Sequence, residues 1–275
     1  MNSHPPYTTL TDPLAADAAL PVPPNPEPPL PDYWQESARP LVSLAFIAPM
    51  LAAYELGMVV LGPSAVRNGA EVWLRQFLDW LGLGQYFLLP LLTCGLLLAW
   101  HHLLHACWSF RPSVLFGMTL ESATLALGLL AFAQLQGAIY DHLGSELLNT
   151  PNSTATETDL AGMLGYFGAG LYEELLFRLT MLPLATMLLR GLGMRPRGAL
   201  VLAVLAVSLC FSLAHYRWDL DLFGWQLHTS GYAFDWFSFS FRFAAGTVFS
   251  ALFVCRGFGI AVGAHALYDV FAVLI

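Results

Sequence analysis

Six residues in the C-terminal half are of types and at spacings that can do chemistry. They are Glu173, Glu174 and Arg178 in GLYEELLFR, His215 at the end of LCFSLAHYRW, and His265 and Asp269 in GAHALYDVF. All lie in or beside strongly apolar stretches, where an ionised side chain costs about 2.5–3.5 kcal/mol on membrane-insertion scales. Such groups need partners. On a helix Glu174 and Arg178 are four apart and share a face, whereas Glu173 points about 100° away and stays outside that pair. One carboxylate is thus held for structure and one is left for acid–base chemistry. A buried ion pair that only specifies packing, with Glu173 neutral beside it, fits that stretch equally well. His265 and Asp269 are also four apart, and His215 follows Phe211 by one turn. Three separate apolar segments therefore carry polar groups that lack water, and their best partners are one another. By residue type, Glu173, His215, His265 and Asp269 could also be a zinc ligand set, although no HExxH spacing is present.

The chain that must position these groups has 275 residues, 57% hydrophobic and 11% charged, about half the charged share of a soluble domain. This predicts an all-α fold, a polytopic transmembrane helix bundle with its cavity formed by the C-terminal helices. Seven stretches are long enough to cross, near residues 41–62, 86–106, 112–140, 161–189, 198–215, 238–256 and 258–275. Pro183 should kink the fourth. Residues 1–40 hold eleven prolines and read as a disordered, solvated tail. Residues 41–160 read as N-terminal transmembrane helices with an interfacial helix near 71–83. There Glu71, Arg75 and Asp79 recur every four residues, while Trp73, Phe77 and Trp80 turn away. Residues 161–275 form the core that carries the chemistry.

Every basic residue is Arg. Arg39, Arg111, Arg190, Arg195, Arg197 and Arg256 fall on one side of the spans and Arg67, Arg75 and Arg217 on the other, which predicts a cytoplasmic N-terminus and an outer 141–160 loop. The net charge of −8 argues against nucleic acid as a partner. Cys94, Cys107, Cys210 and Cys255 show no CxxC spacing and are expected to be small buried hydrophobes. His101 and His105, near Cys107, could bind metal or haem, but an interfacial cluster beside Trp100 and Trp108 is expected. The aromatic loop after His215 reads as a belt or as a lid. Arg242 is expected to snorkel or to meet a substrate carboxylate.

Three motifs carry a family resemblance. EELLFR fits EExxxR, FSLAH fits FxxxH and HALYD fits HxxxN/D, in the order found in the CAAX-protease and bacteriocin-processing family of intramembrane proteases. The chain resembles that family over roughly residues 160–275, departing from it at Leu179, where glycine is common, and at Asp269, where asparagine is more frequent. The resemblance implies a glutamate-dependent intramembrane endopeptidase without a metal cofactor, acting on a CAAX-type or other membrane-associated peptide or protein. Glu173 would be the general base that activates water. His215 and His265 would orient the water or donate to the oxyanion. Asp269 would fix the ring of His265 or help hold the water, and Glu174 with Arg178 would be the structural pair. Gly259 and Gly263 would let the last helix approach its neighbours. Two other readings stand beside this one: a zinc-dependent metalloprotease using the same residues, and a non-catalytic membrane scaffold or immunity protein. The partners expected are membrane lipid and that substrate, and the location is a multi-pass position in a membrane, the cell membrane if the source is bacterial. One difficulty is geometric. Straight helices counted from their apolar boundaries would separate His215 and His265 by about 15 Å in depth.

Overall fold

Long apolar runs punctuated by proline and glycine set where the helices begin and end. The computed structural model describes residues 32–62, 67–144, 160–222, 225–228 and 231–275. A short α1 (Tyr33–Ser37) leads into α2 (Pro40–Leu61), α3 (Gly69–Trp80), α4 (Leu88–Leu103) and α5 (Pro112–Gly144). Next, α6 (Leu160–Glu174) continues through a π-helical segment (Leu175–Met181) into α7 (Leu182–Gly191). The chain ends with α8 (Pro196–Leu213), a hairpin of β1 (Asp219–Leu222) and β2 (Trp225–His228), α9 (Trp236–Arg256) and α10 (Phe258–Leu274). Proline occupies the first turn of α2 and α8, where its missing N–H leaves no helical bond unmade.

The fold is the expected all-α bundle. All seven expected crossing segments are helical; α2, α5, α8 and α9 are long and apolar enough to span a membrane, and α4 and α10 are shorter apolar helices. No more than 33% of the apolar window of any of those four long helices is buried inside the bundle. Leu56, Val60, Phe116, Met187 and Val201 are exposed on the outside. Water would not tolerate so broad an apolar surface, whereas lipid does, and this is an integral membrane protein.

At the centre stands α10, buried at every residue from Phe258 to Ala266 and packed against α2, α5, α6 and α9. A helix apolar all round belongs in such a place. Gly263 permits the approach, since a Cβ there would lie 2.6 Å from Ser122 Oγ and 2.7 Å from the Phe46 ring. The N–H of Gly259 donates to Ser43 Oγ at 3.0 Å.

Several features depart from the sequence expectation. Residues 33–37, expected in the tail, form α1, and Glu36 is buried beneath Arg111, accepting from its backbone N–H at 2.6 Å. Tyr33 and Arg256 both bond Glu121, at 2.5 and 2.6 Å. The rest of the expected tail, residues 1–31, and most of the 141–160 loop lie outside the described residues. The helix expected near 71–83 is α3, with Glu71 and Arg75 of its charged face turned inward and Asp79 exposed. Glu71 is fully buried and bonded by the Tyr54 hydroxyl, Arg67 and Arg75, while Trp80 is 80% exposed. The distortion expected at Pro183 comes before it: a proline has no N–H for Leu179 and its ring crowds that carbonyl, and the helix widens into the π segment. Cys107, Cys210 and Cys255 are exposed rather than buried, and Cys94 is half-buried: Cys107 lies in the loop between α4 and α5, and Cys210 and Cys255 sit on helix faces turned away from the bundle. The aromatic loop after His215 contains the hairpin, and its ends are tied beside His215 by backbone bonds between Arg217 N and Tyr232 O and between Tyr232 N and His215 O.

Candidate active site

Glu173 is the last residue but one of α6, with its carboxylate divided between two settings. Oε1 accepts from Asn68 Nδ2 at 2.8 Å. Among the described residues Oε2 has no hydrogen-bond partner; it faces His215 Nε2 at 3.6 Å and His265 Nε2 at 3.7 Å. Those separations are too long for direct hydrogen bonds, and a water touching all three atoms would sit to one side of them, in the cavity.

Each histidine is fixed through its other nitrogen. His215 lies in the turn beyond α8 with Nδ1 2.8 Å from Phe211 O. A carbonyl only accepts, so Nδ1 carries the hydrogen and Nε2 is left toward Glu173. His265 donates from Nδ1 to Glu174 Oε1 at 2.7 Å and stacks on Phe249, with ring centroids 4.5 Å apart. The expected Glu174–Arg178 pair is present at 3.0 Å, with both side chains fully buried. Arg178 also donates to Gly246 O at 3.0 Å and lies 4.3 Å over the Phe211 ring. One carboxylate oxygen thus receives both the guanidinium and the imidazole. Of the two expectations for Asp269, fixing the His265 ring or helping to hold the water, its place is compatible with the second. Its Oδ2 is 3.7 Å from His265 Nε2, the nitrogen that faces Glu173. Orientation of the ring through Nδ1 therefore falls to Glu174, because Asp269 sits one turn further along α10, at the cavity.

Close helix contact makes this convergence possible. A Cβ on Gly170 would lie 2.7 Å from Ala266 Cβ and 2.8 Å from its backbone N, so only glycine lets α6 approach α10 here. The depth offset of about 15 Å expected from straight helices is not found, since both Nε2 atoms lie within 3.7 Å of one carboxylate oxygen. Packing sets the tilt of each helix, and counting from apolar boundaries misses that.

Glu173, His215, His265 and Asp269 share a cavity of about 700 Å³ with Asn68, Trp73, Tyr166 and Arg242. Arg242 does not reach outward from the bundle. It bonds the hydroxyls of Ser238 and Tyr216 and lies over the rings of Tyr216 and Tyr232 in the cavity wall. Sequence reasoning missed Asn68. Its signal was the run NGAE, an N-cap with glutamate three residues on, which marks a helix start and not a site. His101 is buried against Trp108 and far from a ligand set; among the described residues no three His, Cys, Asp or Glu side chains are spaced as they stand to hold a metal.

Compared with known families, residues 158–271 match the model of the type II CAAX prenyl endopeptidase Rce1-like family. No curated protein and no solved structure matches the chain.

Proposed function

Residues 158–271 form an Rce1-like domain of the type II CAAX prenyl endopeptidases, and on that premise we propose that the protein is an intramembrane endopeptidase that hydrolyses a peptide bond with water activated by Glu173. The observation that carries the reading is the meeting of Glu173 Oε2 with two imidazole Nε2 atoms in one cavity. A water between them gives one proton to Oε2 as its oxygen attacks the peptide carbonyl carbon. Glu173 then returns that proton to the departing amine. A water has only two protons for three acceptors, so one of the contacts is made by a protonated imidazole. Its Nε2–H is the donor that the tetrahedral oxyanion needs. Glu174 and the Phe211 carbonyl hold the rings so that this hydrogen points into the cavity. Aromatic walls at Phe211, Phe249 and Tyr268 suit a membrane-associated substrate, and a prenylated peptide tested against the same peptide without its lipid tells whether the lipid is read.

The test is Glu173→Gln in proteoliposomes carrying a fluorogenic membrane peptide. General base catalysis contributes about 10²–10⁴-fold, and a loss of that size is expected. A variant as fast as wild type removes Glu173 from the mechanism.

A second reading rests on one feature of the same geometry. With both Nδ1 atoms committed to fixed acceptors, two Nε2 lone pairs and a carboxylate oxygen converge, as around zinc sites whose histidines donate their other N–H to a carboxylate or carbonyl. Zinc bonds of about 2.1 Å place tetrahedral ligands about 3.4 Å apart, slightly inside the 3.6 and 3.7 Å found here. Zinc would then be the Lewis acid, and the same three residues would hold it.

A further inference from the structure

We infer that Asn68, from outside the family domain, is a positioning residue that selects which oxygen of Glu173 acts as the base. The inference rests on the proposed role of Glu173. Asn68 caps α3, with Oδ1 accepting from Ala70 N at 2.8 Å. That bond fixes the amide, so Nδ2 must point the other way, and it donates to Glu173 Oε1 at 2.8 Å. With Oε1 engaged, only Oε2 is left for the water between the histidines. A glutamate side chain has three rotatable bonds, and its carboxylate can turn unless a partner holds it. Asn68 supplies that restraint from a second helix.

The helix that carries Asn68 is itself firmly seated. Glu71, three residues into α3, is fully buried and bonded by the Tyr54 hydroxyl of α2, by Arg67 and, at 2.6 Å, by Arg75 Nε. Movement of the α3 N-terminus would break these bonds together. Asn68 is therefore the end of an anchored structure and not a loose loop contact.

Capping and positioning can be separated, because different atoms do them. Serine and aspartate cap a helix about as well as asparagine, and alanine does not. Neither serine nor aspartate offers an amide N–H to Glu173. The experiment compares Asn68→Ser, Asn68→Asp and Asn68→Ala with wild type in proteoliposomes. It reads kcat and KM per folded molecule, together with the thermal midpoint in micelles. Misplacing a reacting group by about 1 Å costs roughly 10²-fold. The expected result is a fall in kcat of about that size for Asn68→Ser and Asn68→Asp at nearly unchanged KM, with a small loss of thermal midpoint for Asn68→Ser, where Glu173 loses one donor, and larger losses for Asn68→Asp, whose carboxylate meets that of Glu173, and for Asn68→Ala, which also loses the cap. Combined with Glu173→Gln, Asn68→Ser should cost nothing more. Wild-type kcat per folded molecule in either the serine or the aspartate variant overturns the inference, as does a loss that merely follows the unfolded fraction. If Glu173→Gln is inactive while Asn68→Ser is fully active, only this inference fails. If Glu173→Gln is active, the proposed function fails first.

Discussion

Arg178→Met tests whether the buried ion pair holds the site. The guanidinium is fully buried, donates to Glu174 Oε1 and Gly246 O, and lies on the Phe211 ring. Methionine refills most of the volume, so a cavity contributes little and the main change is electrostatic. Glu174 would keep the His265 Nδ1–H as a donor, while its Oε2 already has none. Breaking one partner out of a buried pair costs about 3–5 kcal/mol, a large part of the roughly 5–15 kcal/mol that holds a typical protein folded. At about 2–4 °C per kcal/mol for a chain of this size, the thermal midpoint should fall by roughly 6–20 °C. The double variant Glu174→Gln with Arg178→Met removes both charges and leaves an amide oxygen for His265, and it should recover at least half of that loss. Arg178→Lys should fall between, because one ammonium cannot copy the planar fork that reaches Glu174 and Gly246 at once. Thermal unfolding of the purified protein in one detergent gives all three values. A single variant within a degree or two of wild type, or a double variant less stable than the single, refutes the account.

Two further outcomes are expected. Gly170→Ala puts a methyl group 2.8 Å from the backbone N of Ala266, which cannot yield. Overpacking of this kind costs about 1–3 kcal/mol, and proteolysis per folded molecule should fall further than stability, because the shift separates Glu173 from His265. Unchanged proteolysis would show that the α6–α10 spacing is not critical. Dialysis against a strong chelator should leave activity intact and metal content well below one per chain. Stoichiometric zinc whose removal abolishes activity and whose return restores it would replace the water mechanism by the zinc reading.

What the sequence made legible was what lies along a single helix. Glu174 with Arg178, and His265 with Asp269, are set by a spacing of four, and the apolar runs on both sides mark the helices that carry them. The family motifs then point to three segments whose polar side chains the fold brings together. Contacts between helices were not legible in the same way. That His265 spends Nδ1 on Glu174 and turns Nε2 to both Glu173 and Asp269 depends on the rotation of α10 against α6, which packing at Gly170 and Gly263 decides. The inward turn of Glu71 on α3 follows from the solvent: where the surroundings are lipid, Trp80 is the residue that can face out and Glu71 the one that must find partners. A helix read as amphipathic gives its two faces but not which of them meets the protein.

The domain recognised at residues 158–271 does not contain everything its own site uses. Gly259 N–H is bonded by Ser43 of α2, and Gly263 rests on Ser122 of α5 and Phe46 of α2. These contacts hold the helix that carries His265. A second route begins on α6 itself. Gly168 leaves room for the Tyr54 ring, since a Cβ there would lie 2.2 Å from it. The Tyr54 hydroxyl bonds Glu71, Glu71 stands in the first turn of the helix that Asn68 caps, and Asn68 donates to Glu173. The route leaves α6 at Gly168, passes through α2 and α3, and returns to α6 at the carboxylate that is proposed to do the chemistry. Glu174 is held by Arg178 of its own helix, whereas the Glu173 carboxylate is held through the neighbours, with Tyr54, Glu71 and Asn68 in series. The N-terminal helices are therefore part of the structure that holds the candidate site, and a variant there should perturb that site without touching any of the three motifs.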